Sequence, residues 1–210
     1  EQLAKAATEL DYEELPVAET VHQVRKRCKK LRGLIRLVRP AFSGYQSENA
    51  AFRDAARLLS SVRDAQVYAE TYDAIMEHFD RQLNRTTFGS IRAQLTRQQK
   101  TLVGQEADLE GRLAQFRSQI EAARQRLSGW DLGDKGFSAV RSGLAKTYGR
   151  AVNALEHCER DGTAEDFHEW RKRAKYHWYH CRILNRTWRL VVQLRQKQTH
   201  CLSDWLGDAH

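Results

Sequence analysis

Apolar residues recur along the chain at helical spacing, and residues 21–39 and 167–184 show this most clearly. In both segments the apolar positions are three or four residues apart, and at about 100° per residue they fall on one side of a helix. The polar positions fall on the opposite side. Each segment is therefore predicted to be an amphipathic helix that packs its apolar side against a core. The predicted core-facing residues are Val24, Cys28, Leu31, Ile35 and Val38 in the first segment, and Phe167, Trp170, Ala174, Cys181 and Leu184 in the second.

The remaining segments are predicted to be helical as well. The chain is rich in Ala, Leu, Arg, Gln and Glu, which favour helices, and it has only two prolines. It contains no run of alternating β-branched residues typical of a strand. The expected fold is all-α, a helical bundle with long antiparallel helices. Helices are expected at 2–10, 16–39, 48–83 (with allowance for a bend), 90–127, 137–158 and about 193–206. A turn is expected at 84–87, a loop at 128–136, and a capping box at 163–166 that opens the helix of 167–184.

The polar sides of the two segments repeat each other. HQVRKRCK at 22–29 corresponds to HEWRKRAK at 168–175, at a constant offset of 146 residues. Apolar residues exchange readily within a core, so a match in the histidine and the cations indicates a common kind of charged partner. The chain is predicted to be one domain of two related halves, about 1–128 and 134–210. The matching pairs are His22 and His168, Arg25 and Arg171, Lys26 and Lys172, Arg27 and Arg173, Lys29 and Lys175, and Arg36 and Arg182.

Positive charge is concentrated in these two segments. Residues 21–39 carry eight Lys or Arg and no acid, and residues 167–189 carry seven with only Glu169. Like charges four residues apart destabilise a helix by about a few tenths of a kcal/mol, so an ordinary solvated helix usually includes acidic neighbours. We expect the two basic sides to face each other and to form a concave positive surface that attracts a polyanion.

The whole-chain composition favours an acidic partner in a reducing compartment. The net charge of +8 indicates nucleic acid, an anionic membrane or polyphosphate. No apolar run approaches the roughly 18 residues that span a bilayer, so we expect no membrane insertion. The four cysteines, Cys28, Cys158, Cys181 and Cys201, are widely separated, which fits the cytoplasm better than a disulfide framework.

The histidines do not form a recognisable metal motif. HEWRK at 168–172 resembles the zinc motif HExxH, but Lys172 stands where the second ligand must be. His177, His180 and Cys181 are close enough in sequence to suggest a metal, but His177 and Cys181 fall on the predicted core side. No carboxylate pair with catalytic spacing accompanies them. We therefore expect no metal, no other cofactor and no enzymatic reaction.

Five stretches of the sequence resemble the CHAD family, the conserved-histidine α-helical domain. They extend over most of the chain except residues 85–130. The resemblance implies an all-helical domain of two pseudo-symmetric halves around a central basic cavity. It also implies binding of inorganic polyphosphate and association with polyphosphate granules, without catalysis. The stretches are VHQVRKRCKKLRGLIRL at 21–37, ARLLSSVRDAQV at 56–67, GFSAVRSGLAKTYGRA at 136–151, DFHEWRKRAKYHWYHCRIL at 166–184 and LSDWLGDAH at 202–210.

The resemblance and the repeated pattern together define a predicted polyphosphate-binding set. The family's motif corresponds to His22, Arg25 and Lys29 and to their partners in the second half, whereas Lys26 is basic where the family more often has valine. The chain stops at His210, inside an LGxxxD-like ending that the first half continues past, so we expect the second half to lack a closing segment. Phosphate or sulfate ions are expected to bind in place of the polymer. The predicted set is His22, Arg25, Lys26, Lys29, Arg36, Arg57, Arg63, Arg150, His168, Arg171, Lys172, Lys175, Tyr179 and Arg182.

Two local expectations follow from the helical pattern. His22 and His168 are expected near the starts of their helices, where free N–H groups and the macrodipole favour anions. Because phosphates would promote protonation of an imidazole, we expect tighter binding at mildly acidic pH. Arg53, Arg57 and Asp64 are expected to share one face of the helix at 48–83.

Nucleic-acid binding is the main alternative to polyphosphate binding. The basic charge suits it, and a tryptophan such as Trp178 could stack on bases. However, Trp170 and Trp188 fall on the predicted apolar side, and the sequence contains no recognisable nucleic-acid-binding motif. An accessory domain of a phosphate-processing enzyme and a scaffold role for the helix at 90–127 also remain open.

Overall fold

The computed structural model describes residues 1–12, 15–104 and 106–208, and within these ranges the chain forms nine α-helices, one short 3-10 helix and no β-strand. The prediction of an all-α fold is confirmed. None of the described helices is both long and apolar enough to cross a membrane. The helices are α1 (Gln2–Asp11), α2 (Val17–Leu37), α3 (Tyr45–Leu58), α4 (Ser60–His78), α5 (Arg85–Gly104), α6 (Glu106–Arg126), α7 (Ser138–Arg160), α8 (Ala164–Leu184) and α9 (Arg189–Asp208), and the 3-10 helix covers Leu127–Gly129.

Local sequence signals place several helix ends correctly. The predicted bounds of α1, α2 and α7 lie within two residues of the observed ones. The capping box of α8 is confirmed, because Thr163 Oγ1 accepts a hydrogen bond from the Asp166 amide at 3.2 Å and Asp166 Oδ2 accepts one from the Thr163 amide at 3.1 Å. These bonds satisfy two of the N–H groups that the start of a helix leaves unpaired.

The helical segment predicted at 48–83, for which a bend was allowed, consists of two helices because the chain turns at Leu59. α3 ends at Leu58 and α4 begins at Ser60, with Leu59 at φ −106° and ψ 14° between them. Leu59 is fully buried. The Ser60 hydroxyl donates to the Arg57 carbonyl at 2.9 Å and so satisfies an acceptor near the end of α3. Burial of one apolar side chain and this local hydrogen bond favour the turn over a continuous helix.

Three other predicted boundaries differ from the structure. Most of the predicted turn at 84–87 belongs to α5, because Asn84 Oδ1 accepts a hydrogen bond from the Thr86 amide at 2.9 Å and caps the helix. α9 begins at Arg189, four residues earlier than expected. The helix predicted at 90–127 corresponds to α5 and α6, and the position between them, Gln105, lies outside the described residues.

The chain divides into two compact units, of which unit 1 comprises Glu1–Lys29 and Ala50–Ser128. In this unit α1 packs against α6, and α4 packs against α5. Arg27 of α2 forms a largely buried ion pair with Glu9 of α1, with 2.5 Å between Nη2 and Oε1. The buried apolar side chains of unit 1 include Val21, Val24, Cys28, Phe52, Leu59, Phe116 and Ile120.

Unit 2 comprises Lys30–Asn49 and Gly129–His210. Here α8 packs against both α7 and α9. α7 approaches the C-terminal end of α2 so closely that a Cβ atom at Gly143 would lie 1.8 Å from the Leu37 carbonyl oxygen. The backbone of this unit can therefore pack as it does only because residue 143 has no side chain. Its buried apolar side chains include Leu31, Ile35, Leu37, Phe42, Ala174 and Cys181.

The predicted apolar sides of the two basic helices are largely confirmed, with one exception among the tryptophans. His177 and Cys181 are buried, as their position on the core side predicts. Trp188 is 66% exposed, so its predicted place on an apolar face is wrong. It lies in the turn that precedes Arg189, where helical periodicity no longer determines which side chains face the core.

Candidate functional site

Arg25, the repeated arginine of the first half, is held in place by a backbone carbonyl. Its Nη1 donates to the carbonyl oxygen of Ala56, near the C-terminal end of α3, at 2.5 Å. The side chain is partly buried. Burial lowers the pKa of its guanidinium, and the nearby Asp64 carboxylate opposes that shift. A carbonyl oxygen fixes the orientation of a guanidinium without neutralising its charge, so Arg25 retains positive charge for another anion.

His22 is partly exposed on α2 and has several cations around it. Burial lowers the pKa of its imidazole below the usual 6.5, and Arg63, Lys26 and Lys29 lower it further, while Glu19 opposes them. At pH 7 the neutral imidazole therefore predominates when no anion is bound. An anion beside these cations would reverse the balance, because it would stabilise the imidazolium.

Each motif histidine lies in the second turn of its helix, just beyond the first turn whose N–H groups are free. His22 follows Val17, the first residue of α2, by five positions, and His168 follows Ala164, the first residue of α8, by four. The effect of the helix dipole is largely confined to about the first turn. In α8, the capping box also occupies amide groups of that turn. Any preference of these histidines for anions must come from neighbouring side chains.

The predicted face of Arg53, Arg57 and Asp64 does not form, because the break at Leu59 places Asp64 on α4. Arg53 pairs with Asp54 at 2.8 Å, and the exposed Arg57 lies 3.6 Å from the same carboxylate. The position of the Arg57 side chain is thus set by a carboxylate of the same helix, α3.

Arg63 lies outside the repeated motif, but it belongs to the predicted set and the structure places it close to His22 of the first motif. Its charge acts on the His22 imidazole. Its guanidinium donates to both oxygens of Glu70, at 3.3 Å and 3.2 Å, which fixes its orientation on α4. The motif lysines Lys26 and Lys29 are exposed on α2. Unit 1 therefore assembles one histidine, two arginines and two lysines from the predicted set.

Three of the cations in the middle of the two motifs have acidic partners. Arg27 pairs with Glu9, as described above. In the second motif, Lys172 and Arg173 both pair with Glu169, from which they are three and four residues away. These side chains are partly neutralised by contacts within their own unit, so the repeated basic octapeptide is not uniformly available to a ligand.

Arg171, the repeated arginine of the second half, is also anchored by a carbonyl. Its Nε donates to the carbonyl oxygen of Ser203 on α9 at 3.1 Å. Its guanidinium lies against Gly207, where an added Cβ would be 2.3 Å from Nη2. Lys175 lies near Arg171 and is half-buried; burial and the charge of Arg171 lower the pKa of its amine, and Asp204 opposes them. Two cations thus lie close together beside α9.

The anchoring contact of Arg25 therefore recurs at its repeat partner, Arg171. The acceptor carbonyls belong to Ala56 and Ser203, which are 147 residues apart, close to the offset of 146 between the two arginines. Within each unit, the sequence repeat thus carries a repeated hydrogen bond. The copies differ at the histidine, because His168 is exposed and its counterpart is partly buried.

A group of aromatic side chains lies further along α8. The Trp178 ring makes a tilted contact with Tyr179 and an edge-to-face contact with His200, with ring centroids 4.8 Å and 4.7 Å away. The Arg182 guanidinium lies 5.1 Å from the Trp178 ring centroid. Tyr179 packs beside Gly33, and burial raises the pKa of its hydroxyl. Tyr179 and Arg182 from the predicted set are therefore close together, but they are partly engaged in packing.

Two predicted arginines, Arg36 and Arg150, belong to a different cluster in unit 2. Arg36 is buried with its guanidinium 4.1 Å from the centroid of the Tyr176 ring, and Arg150 is exposed on α7. Both act electrostatically on Arg39. The sequence prediction missed Arg39, because its hydrogen-bond partner Thr147 is 108 residues away along the chain. The only signal in the sequence was that Arg39 lies three residues after Arg36.

The assembled groups are suited to binding oxyanions. The described ranges contain no group of three His, Cys, Asp or Glu side chains that could hold a metal ion. All four cysteines are free, and only Cys201 is exposed. What the predicted set supplies is positive charge and N–H donors fixed by backbone contacts, which is the chemistry that binds phosphate and sulfate groups.

No curated protein and no solved structure matches this chain. A match is found at the level of a family, and it covers residues 1–210, the whole sequence, including both copies of the histidine motif. The matching family is described as the CHAD domain. The chain therefore belongs to the CHAD domain family.

Proposed function

We propose that this protein binds inorganic polyphosphate through the repeated arginines and the basic residues around them. The observation that carries the proposal is the anchoring of Arg25 and Arg171 by backbone carbonyls, each beside further cations. These carbonyl acceptors fix the orientation of the guanidinium groups without neutralising their charge. Membership of the CHAD domain family supports the same function, since that family is associated with polyphosphate binding.

Polyphosphate has the chemistry that these groups accept. Each internal unit carries one negative charge and no base, so recognition requires cations along the chain rather than a hydrogen-bond code. Arginine has five N–H donors, of which the carbonyl anchor uses one, and the others can form forked contacts with phosphate oxygens. Lysines such as Lys29 and Lys175 add point charge. The proposal is for binding without turnover, and it includes association with polyphosphate granules in the cytoplasm.

Nucleic acid is a second candidate because two tryptophans are highly exposed. Trp188 is 66% exposed and Trp205 is 70% exposed, so each could stack on an unpaired base. Polyphosphate is preferred because the anchored cations need no bases. Competition between long-chain polyphosphate and single-stranded DNA at about 0.15 M salt distinguishes the two, because both rely on charge but only DNA gains from stacking.

Calorimetric titration with polyphosphate of defined lengths tests the proposal. Replacing Arg25, Lys29, Arg171 and Lys175 together with alanine is expected to weaken binding by at least about 100-fold, since several charge-assisted contacts of about 1.5–3 kcal/mol are lost. The helical circular-dichroism signal should remain. Because displaced counterions drive much of the binding, the affinity of the unmodified protein should also fall steeply with salt.

The matched control removes the same number of charges from exposed ion pairs elsewhere in the chain. Arg92, Arg117, Arg124 and Arg160 are suitable, because each pairs with a carboxylate at the surface. Their replacement with alanine should leave the affinity within a few-fold of the original. Equal losses in the two quadruple variants would mean that polyphosphate responds only to net charge, and the assigned residues would then be wrong.

Binding is also expected to strengthen as the pH falls from 8 to 5.5. In the free protein the pKa of His22 lies below 6.5, and a neighbouring phosphate raises it by stabilising the imidazolium. The bound state then takes up a proton in this interval, so a long polyphosphate should bind several-fold more tightly at pH 5.5. A His22→Gln variant should lose this dependence, whereas His157→Gln should keep it. Equal affinity of the parent protein at both pH values would rule out a charged-histidine role.

A further inference from the structure

Arg36 is the most deeply buried cation of the predicted set. Its residue is only 8% exposed, and its guanidinium lies over the Tyr176 ring, with 4.1 Å between Cζ and the ring centroid. A ring contacts the face of a guanidinium, whereas the N–H bonds point outward in its plane. Stacking on Tyr176 therefore leaves the hydrogen-bonding capacity of Arg36 unused.

Two N–H groups of this cluster are buried without an acceptor. Arg36 Nη1 and Arg39 Nε have no hydrogen-bond partner in the described part of the chain, although the Tyr45 hydroxyl lies close enough to the Arg39 guanidinium to raise its pKa against the effect of burial. Arg39 does use another nitrogen, because its Nη2 donates to Thr147 Oγ1 at 2.9 Å and lies 3.4 Å from the Gly143 carbonyl oxygen. Leaving a buried donor unsatisfied is unfavourable, and more so when the donor is charged, so these groups indicate a missing acceptor.

The surrounding protein does not balance the charge of the cluster. Across the described ranges, no carboxylate forms an ion pair with Arg36, Arg39 or Arg150. The C-terminal carbonyls of α2 lie nearby, and a helix end contributes roughly half a negative charge. That partial charge cannot offset three guanidinium groups. The cations also run from the buried Arg36 to the exposed Arg150, which gives an anion a route from solvent.

We propose that Arg36, Arg39 and Arg150, with the Thr147 hydroxyl, form a phosphate-group site that is separate from the anchored arginines. Its ligand is one tetrahedral oxyanion group, which presents several acceptor oxygens and up to two negative charges to a compact cluster of donors. The group is supplied either by free orthophosphate or by one unit of a polyphosphate chain. The first source is independent of the proposed function, and the second rests on it.

Thermal unfolding in phosphate-free buffer, with orthophosphate added at constant ionic strength, tests the site. Orthophosphate is expected to raise the melting temperature by several degrees in a saturable manner, because a ligand that binds only the folded state stabilises it. Arg36→Met should abolish that rise, and Arg150→Met, at the exposed end of the cluster, should weaken orthophosphate binding at least about five-fold. Arg160→Met removes an exposed charge outside the predicted binding set and should change neither result.

The same measurements distinguish an error in the proposed phosphate-group site from an error in the proposed polyphosphate binding. The quadruple variant of Arg25, Lys29, Arg171 and Lys175 should keep the full rise with orthophosphate. Absence of a saturable rise in the parent protein would overturn the site, and so would a rise that persists in both the Arg36 and Arg150 variants. If Arg36→Met also weakens polyphosphate binding, the polymer supplies the group; if only orthophosphate binding is lost, the free ion does.

Discussion

Replacing Gly143 with alanine is expected to lower the free energy of unfolding by about 3 kcal/mol or more, at the upper end of the cost of overpacking. The added Cβ would lie 1.8 Å from the Leu37 carbonyl oxygen, 2.6 Å from the Leu37 carbonyl carbon and 2.8 Å from the Arg36 carbonyl oxygen. All three are backbone atoms, so no side-chain rotation can relieve the contact. α7 would have to move away from the end of α2. Urea unfolding followed by circular dichroism measures this change.

A second glycine of α7 provides the control. Gly149 has no atom within 4 Å of an added Cβ, so Gly149→Ala should be neutral or should stabilise the helix by about 0.5–1 kcal/mol. The two substitutions make the same chemical change on one helix and are expected to differ in sign. A similar small effect at both positions would show that α7 and the end of α2 are not packed as described.

Acidification is expected to destabilise the protein between pH 6.5 and pH 5. His177 and His180 are buried, and burial lowers the pKa of each imidazole to about 4. In the unfolded chain both have a pKa near 6.5, so between these values the unfolded state binds more protons. Stability from these groups is complete above pH 6.5 and is lost as the pH falls. The expected loss by pH 5 is about 2 kcal/mol for each histidine.

His177→Leu tests this dependence, because the Nδ1 atom of His177 has no hydrogen-bond partner among the described residues and leucine removes no strong polar contact. The variant should show a visibly flatter profile of unfolding free energy against pH. His157→Gln replaces an exposed histidine and should retain the original slope. Parallel profiles for the parent protein and His177→Leu would contradict burial of a neutral imidazole at this position.

Helical periodicity and capping were sufficient to predict the all-α class and most of the helices. These signals are local, because residues three or four apart share a face and a capping box involves four consecutive positions. The position of the turn at Leu59 could not be predicted from helical periodicity and capping. Leucine is a good helix former with no local signal for a break, and its burial depends on the tertiary packing of unit 1.

The candidate site was predicted in its residue types but not in its contacts. The repeat identified Arg25 and Arg171, yet their anchors are carbonyl groups on other helices, which any residue can supply. Pairing of Arg27 with Glu9 likewise depends on how α1 packs. Arg39 was missed because its hydrogen-bond partner, Thr147, is 108 residues away along the chain. Such long-range contacts have no signature in a single sequence.

The use of main-chain acceptors has a consequence for how these two sites can diverge. Every amino acid has a carbonyl oxygen, so a mutation at Ala56 or Ser203 can alter a side chain without deleting the acceptor that orients the arginine. An ion-pair anchor would be lost whenever its carboxylate was substituted. The orientation of both guanidinium groups therefore depends on the path of the backbone, and it can be retained when the side chains at the anchoring positions are substituted.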